Sequence, residues 1–351
     1  MRMRREALVW TGALAVVLSA NILAQNDRKP DDAQKREIQA AMKIVDDVAG
    51  GQAAANDLAI SWLHDDVLKA QGNKQYVPFT INIDPSKITG SNVAVYWRVV
   101  STDAAPEAPA GKNDKKDDKK DKDKKKTYAY EDVGFVPVTA GQSGPMRISR
   151  SFTVAGGQYD VFVVVKEPAP QKAPKNAPPP KMSVLKHQMT VPDFWNNELN
   201  TSSVIVAQRI DPLPAPLTPQ QMTERPYALG TIEIVPAMDA KFTKLAELST
   251  FLLIYNAKTD ASNKPDVSVE FNFYAKQAGA EKFFNKTDPQ NLNAQTLPPT
   301  FDFAAGHQLQ SGQAVKLASF PEGDYRLEIK VTDRLANKTL TRDVNFTVTG
   351  S

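Results

Sequence analysis

Few residues in this sequence have the types and spacing to do chemistry. There are three histidines, His64, His187 and His307, and no cysteine. His64 opens the run His64-Asp65-Asp66, which sets an imidazole beside two carboxylates. Adjacent residues at a strand end point to different sides, so a metal held there would need further ligands from distant segments. His187, in MSVLKHQMTV, has the strand parity of Met189 and Val191, which predicts a hydrogen-bonded histidine tucked into a core. His307, in AAGHQLQSG, lies beside a glycine with no motif partner, and is expected to be solvated or bonded to backbone. The loop KTDASNKPD (258–266) gathers Asp260, Ser262, Asn263 and Asp266, all oxygen donors. Their spacing is not the one that wraps a calcium loop around an ion, so a plain turn is expected. Asp333 and Asp343 flank the last hairpin and are expected to bond turn amides.

No H-E-x-x-H, G-x-S-x-G, phosphate-loop or dinucleotide glycine pattern occurs. GQSG (141–144) puts a serine between glycines without the spacing of a nucleophile elbow. A carboxylate pair for glycoside hydrolysis is assembled in space rather than along the chain, and no shared acidic cluster marks a core-facing strand. The expectation is no catalytic residue, no metal and no cofactor. Phe194 and Trp195, in VPDFWNNEL, are the residues suited to touching a partner. Buried, two such rings plug a joint between domains; exposed, they would stack on a glycan.

The elements that must position these residues come from an internal repeat. Residues 93–100 read VAVYWRVV and 267–274 read VSVEFNFY, each alternating apolar and other residues as a half-buried strand does. GGQYDVFVVV (156–165) matches EGDYRLEIKV (322–331), aligning Val161, Val163 and Val165 with Leu327, Ile329 and Val331. Each copy closes on another strand, MTVP (189–192) and FTVT (346–349), and opens with YVPFTINI (76–83) or LSTFLLIY (248–255). Short strands with polar turns predict a mainly β protein of two tandem immunoglobulin-like antiparallel β-sandwiches. Trp97 and Phe271 should occupy equivalent buried positions.

Around the repeat, residues 33–49 place Ile38, Ala41, Met42, Val45 and Val48 on one helical face, a short N-terminal helix ended by Gly50 and Gly51. DLAISWL (57–63) reads as the first strand of the first sandwich, with Leu58, Ile60 and Trp62 on one face. SVIVAQRI (203–210) reads as a strand in the linker, and DPLPAPLTPQQMTERP (211–226) as an extended connector whose prolines restrict helix formation. The expected order is a signal peptide (1–24), a helical segment (25–56), a first sandwich (57–192), a linker (193–227) and a second sandwich (228–351). The first sandwich carries a charged loop (102–127) and a Pro/Lys loop (167–182).

The first 24 residues run from Arg2, Arg4 and Arg5 through an apolar stretch to small residues, which predicts export with cleavage after Ala24 or retention as an anchor. Without them the formal charge falls from +3 to +1, too little for a general nucleic-acid or membrane binder. Residues 112–126 hold nine lysines and five aspartates. Interspersed opposite charges cancel within about 8–10 Å, so this run is expected to be a solvated loop.

FPEGDYRLEIKVTDRLANKTLTRDVNFTV (320–348) resembles the last two strands of an immunoglobulin-like or fibronectin-type-III-like domain. That resemblance implies tyrosine corners at Tyr159 and Tyr325 and a core tryptophan at Trp97, without the disulfide. QYVPFTINID (75–84), VPDFWNNELNTSSVIVAQRI (191–210) and GHQLQSGQAVKLASFPEGDYRLEIKVTD (306–333) are similar to an uncharacterised group of secreted bacterial proteins, common in acidobacteria. The resemblance implies a periplasmic or extracellular location and no known activity. The function expected is a non-enzymatic interaction or structural role in the cell envelope, with a protein or envelope glycan as partner. The alternatives are a carbohydrate-binding or adhesive module and a hydrolase with its site at the domain cleft.

Overall fold

A computed structural model describes residues 30–103, 128–139, 141–170, 178–277 and 279–350. The leader, the 112–126 run and the centre of the Pro/Lys segment lie outside the described residues. No described helix is long and apolar enough to cross a membrane. The chain is mainly β, with four sheets and two α-helices among the described residues.

Two sheets serve the N-terminal half. One is ordered Tyr130–Pro137, Asn92–Ser101, Gly157–Lys166, Met182–Val191. The other is built on Gln75–Ile83, with Ser61–Asp65 and Leu68–Lys69 along one edge and Met146–Val154 along the other. In the C-terminal half, Val267–Gln277, Gly323–Asp333 and Lys338–Thr349 form the centre of one sheet; in the other, Glu247–Tyr255 pairs with Leu309–Lys316, which ends the strand order. All of these pairings are antiparallel; the three-residue strand Lys241–Thr243 joins Lys338–Thr349 in parallel.

The repeat read from the sequence is reproduced residue for residue in the register. Trp97 stands opposite Val163 and Phe271 opposite Ile329; Tyr159 stands opposite Met189 and Tyr325 opposite Phe346. Trp97 and Phe271 are both fully buried. The Tyr159 hydroxyl donates to Ala155 O at 3.0 Å and the Tyr325 hydroxyl to Pro321 O at 2.8 Å, each four residues back along the chain. These bonds pin the turn entering each penultimate strand, as the resemblance implied.

Helix α1, Asp32–Ala49, starts at a capping box between Asp31 and Gln34 and stops at Gly50 and Gly51, the latter at φ +98°. Ala41 and Val45 cover Tyr96, Phe162, Val164 and Val184 on the outer face of one N-terminal sheet. That cover explains why VFVVV is apolar at every position: its strand is buried on both faces. A polar residue missed by the helical pattern, Glu37, is buried on the same helix and pairs with Lys166.

Two expectations about the connector need correction. The strand in 203–210 runs over Ile205–Pro212 and is hydrogen-bonded into a C-terminal sheet through Ile205–Ala207, so it is not a free linker strand. Within 211–226, Pro219–Glu224 is a helical turn capped by Thr218, because Pro219 occupies the first helical position, where a missing N–H is harmless.

Candidate functional site at the junction of the halves

The apolar cluster inside the N-terminal half does not stop at its own sheets. It continues through Ile205, Ala207, Tyr227, Leu229, Ile232, Ile234, Phe251, Leu253 and Tyr255. On Glu247–Tyr255 the alternation divides the strand: Leu248, Leu252 and Ile254 face the C-terminal core, while Phe251, Leu253 and Tyr255 face the junction. A strand buried on both faces reads as the near-continuous apolar run LSTFLLIY, and the sequence signal for this interface was that run.

Polar contacts fix the joint. Ser203 N donates to Val67 O at 3.0 Å and Val67 N to Ser203 Oγ at 2.9 Å. Lys69 N donates to the Tyr255 hydroxyl, and the Tyr76 hydroxyl to Pro226 O. Asn256, at φ +59°, donates its amide to Phe194 O and Glu198 O.

The structure separates the two predicted contact residues. Phe194 is buried, its ring 5.0 Å from that of Tyr255. Trp195 is 37% exposed; its Nε1 donates to Ala70 O and Lys74 O, and Lys69 Nζ lies 4.3 Å above the ring. Burial lowers the Lys69 pKa, partly offset by Asp193.

His64 and Asp66, two apart on one side of the chain, form the pair that adjacency arguments hid. His64 Nε2 lies 2.7 Å from Asp66 Oδ2, and Asp66 is fully buried. Burial by itself would lower the His64 pKa, but the Asp66 hydrogen bond and charge, with Asp65 adding, raise it. Burial raises the Asp66 pKa against the pull of His64. Tyr227 sits beside this carboxylate from the connector, its buried hydroxyl meeting no partner in hydrogen-bond geometry. Asp65 accepts from Trp62 Nε1 at 2.8 Å and stands 3.6 Å from His187 Nε2.

His187 therefore differs from expectation. It shares the side of Met189 but lies at the rim, 31% exposed and stacked 4.2 Å from Trp62. His307 accepts from Asp302 N at 3.0 Å. Asp260 accepts from Ser262 N and Lys264 N, an ordinary turn. Asp333 takes the amides of Lys258, Leu335 and Ala336, whereas Asp343 pairs with Arg326. Among the described residues no three His, Asp or Glu side chains are grouped to hold a metal ion.

The His64–Asp66 pair carries a pH prediction. A raised folded-state pKa at His64 gives stability that is complete below about 6.5 and lost as pH rises through the folded value; the raised Asp66 value likewise makes stability fall as pH rises above about 3.9. Melting temperatures of the protein and of His64→Gln should differ most near pH ~6, by the equivalent of about 2 kcal/mol for the buried carboxylate left without its partner. The gap should narrow as pH rises through the folded-state value and His64 loses its proton. A gap independent of pH would show that the imidazole is held for packing alone.

A cleft of about 970 Å³ opens beside the junction, lined by Arg147 of the N-terminal half and by segments around Ile210, Ile232, Phe242, Phe251 and Gly312 of the C-terminal half. The His64–Asp66 pair lies outside the residues that line this cleft.

No family model matches this chain, and no curated protein matches it. Among the solved structures that match, three align with most of it. Trypsin-activated alpha-2-macroglobulin from Escherichia coli shares 8% identity at TM-score 0.22, covering 84% of this chain and 16% of that one. Dimeric latent PorU from Porphyromonas gingivalis shares 10% at TM-score 0.27, covering 87% and 21%. Elastase-activated alpha-2-macroglobulin from Escherichia coli shares 12% at TM-score 0.21, covering 86% and 22%. This chain thus spans about a fifth or less of the length of two of these proteins and 22% of the third. Likeness at such TM-scores carries no argument about function.

Proposed function

We propose that the protein is an exported, non-enzymatic interaction or structural protein of the bacterial envelope, built as two immunoglobulin-like sandwiches. The second sandwich takes in the Ile205–Pro212 strand. The observation that supports this most is the junction: one apolar cluster runs from the first core onto the outer sheet face of the second half. A joint of that kind fixes the two modules as a single body and holds the cleft beside it open between them. The basic, apolar leader supports export.

A glycan platform built on Phe194 and Trp195 is the weaker alternative, because Phe194 lies buried against Tyr255 and only Trp195 of the pair is exposed. The test is fractionation of cells expressing the full chain, followed by photo-crosslinking from a probe at Arg209 on the cleft wall. Release with the periplasmic or surface fraction and a discrete cross-linked macromolecule are expected. Recovery in the cytoplasm, or turnover of an envelope polymer by the purified protein, would overturn the proposal.

A further inference from the structure

The cleft exists because a sheet forks. Ile205–Pro212 pairs with Glu247–Tyr255 only from Ile205 opposite Phe251 to Ala207 opposite Ser249. Against its other neighbour, Ile232–Pro236, the register shifts between Ala207 and Arg209. A bulge of this sort bends a strand and increases its twist. Beyond it the strand stays with Ile232–Pro236 alone, and Gln208, Ile210 and Pro212 line the opening on the side it has left.

The hydrogen-bond alternation says which backbone groups face that opening. Leu213 N donates to Thr231 O, and on the far side of the hairpin Ile234 N donates to Tyr227 O. In an antiparallel ladder bonded and non-bonded pairs alternate. The pairs Ile210–Ile234 and Pro212–Ile232 are therefore non-bonded. Ile210 N–H, Ile210 C=O and Pro212 C=O turn away from the hairpin partner, and among the described residues no strand lies on that edge beyond Ala207.

An open strand edge is a template for another strand. Five edge residues at about 3.3 Å each give a contact about 16 Å long. The apolar lining, with Ile210, Ile232, Phe242 and Phe251, offers places for alternate side chains of an added strand. The charged lining is mixed: Arg147, Arg209 and Lys241 against Asp239 and Glu247. Mixed charge matches a peptide, which carries both signs and its own amides. It does not match a polyanion, and a lipid tail would leave the edge amides without partners.

We propose that this fork captures an extended peptide segment of a partner protein as an added β-strand on the 208–212 edge. The inference rests on the interaction role proposed above and deepens it by naming the ligand class. Its test is selection from a random library of linear decapeptides on the intact protein, followed by hydrogen exchange with the enriched peptide bound.

Enriched peptides of alternating apolar and polar residues are expected, with slowed exchange at Ile210. Ile210→Pro removes the edge donor without touching a bond to Ile232–Pro236, and should weaken binding tenfold or more. Ile210→Ala keeps the N–H and controls for the lost side chain; it should weaken binding far less. An empty selection would overturn the strand-capture proposal. So would equal losses in the two variants, or protection at Ile210 by dodecanoate in place of peptide. Each of these can occur while cross-linking in cells still succeeds, so a failed ligand class is distinguishable from a failed interaction role.

Discussion

Phe194→Ala is expected to destabilise the protein by about 3–5 kcal/mol, the range for truncating a buried phenylalanine. Its ring lies against Tyr255, whose hydroxyl in turn holds Lys69 N, so one truncation loosens two contacts across the joint. Trp195→Ala should cost about 1–2 kcal/mol, since its ring is partly in water and it contributes hydrogen bonds and a cation–π contact. Urea melts of both variants check the ranking, and X-ray scattering should show a larger radius of gyration for the double variant while circular dichroism retains the β signal. An unchanged radius combined with lost adsorption to a polysaccharide would turn the pair from a plug into a binding platform.

The parts of the fold that were legible in the sequence are those where local alternation and global burial agree. Phe271 and Ile329 alternate with more polar residues on strands facing the C-terminal core, and Trp97 and Val163 hold the matched positions in the N-terminal core. The hydroxyl bonds of Tyr159 and Tyr325 are ones that the resemblance to immunoglobulin-like strands implies. The junction was harder. Phe251, Leu253 and Tyr255 belong to a run apolar on both faces, and period alone does not say what covers the second face. The His64–Asp66 pair is hidden in the sequence for a different reason: adjacent residues point apart, whereas these two, one residue removed, share a side. The fork depends on a bulge at Ala207–Arg209, and nothing in VAQRI marks one, since no glycine is there. The Pro219 turn is masked in the sequence by three prolines just upstream, which favour extended chain.

Lys166→Ala should be as damaging as Phe194→Ala, for an electrostatic reason. Lys166 Nζ meets Glu37 Oε2 at 2.5 Å and Glu167 O at 3.0 Å, and both Lys166 and Glu37 are buried between α1 and the sheet beneath it. Glu37 Oε1 also accepts from Ala169 N. With the ammonium gone, one backbone donor remains for a buried carboxylate, and breaking such a pair from one side costs about 3–5 kcal/mol. Because the pair sits under α1, the loss should appear first as fast hydrogen exchange over 32–49, with the sheets still protected. Arg98, buried and bonded to Asp46 Oδ1 at 2.7 Å, would hold the last turns of the helix longer than the first. Replacing both partners, Glu37→Leu with Lys166→Met, removes the charges together and should recover most of the stability, since well-packed apolar residues often match a buried ion pair. If the double variant is as unstable as Lys166→Ala, the helix is held by the shape of these side chains and the charge account fails. If both variants keep slow exchange over the helix, Ala41 and Val45 hold it on Tyr96 and Phe162 unaided.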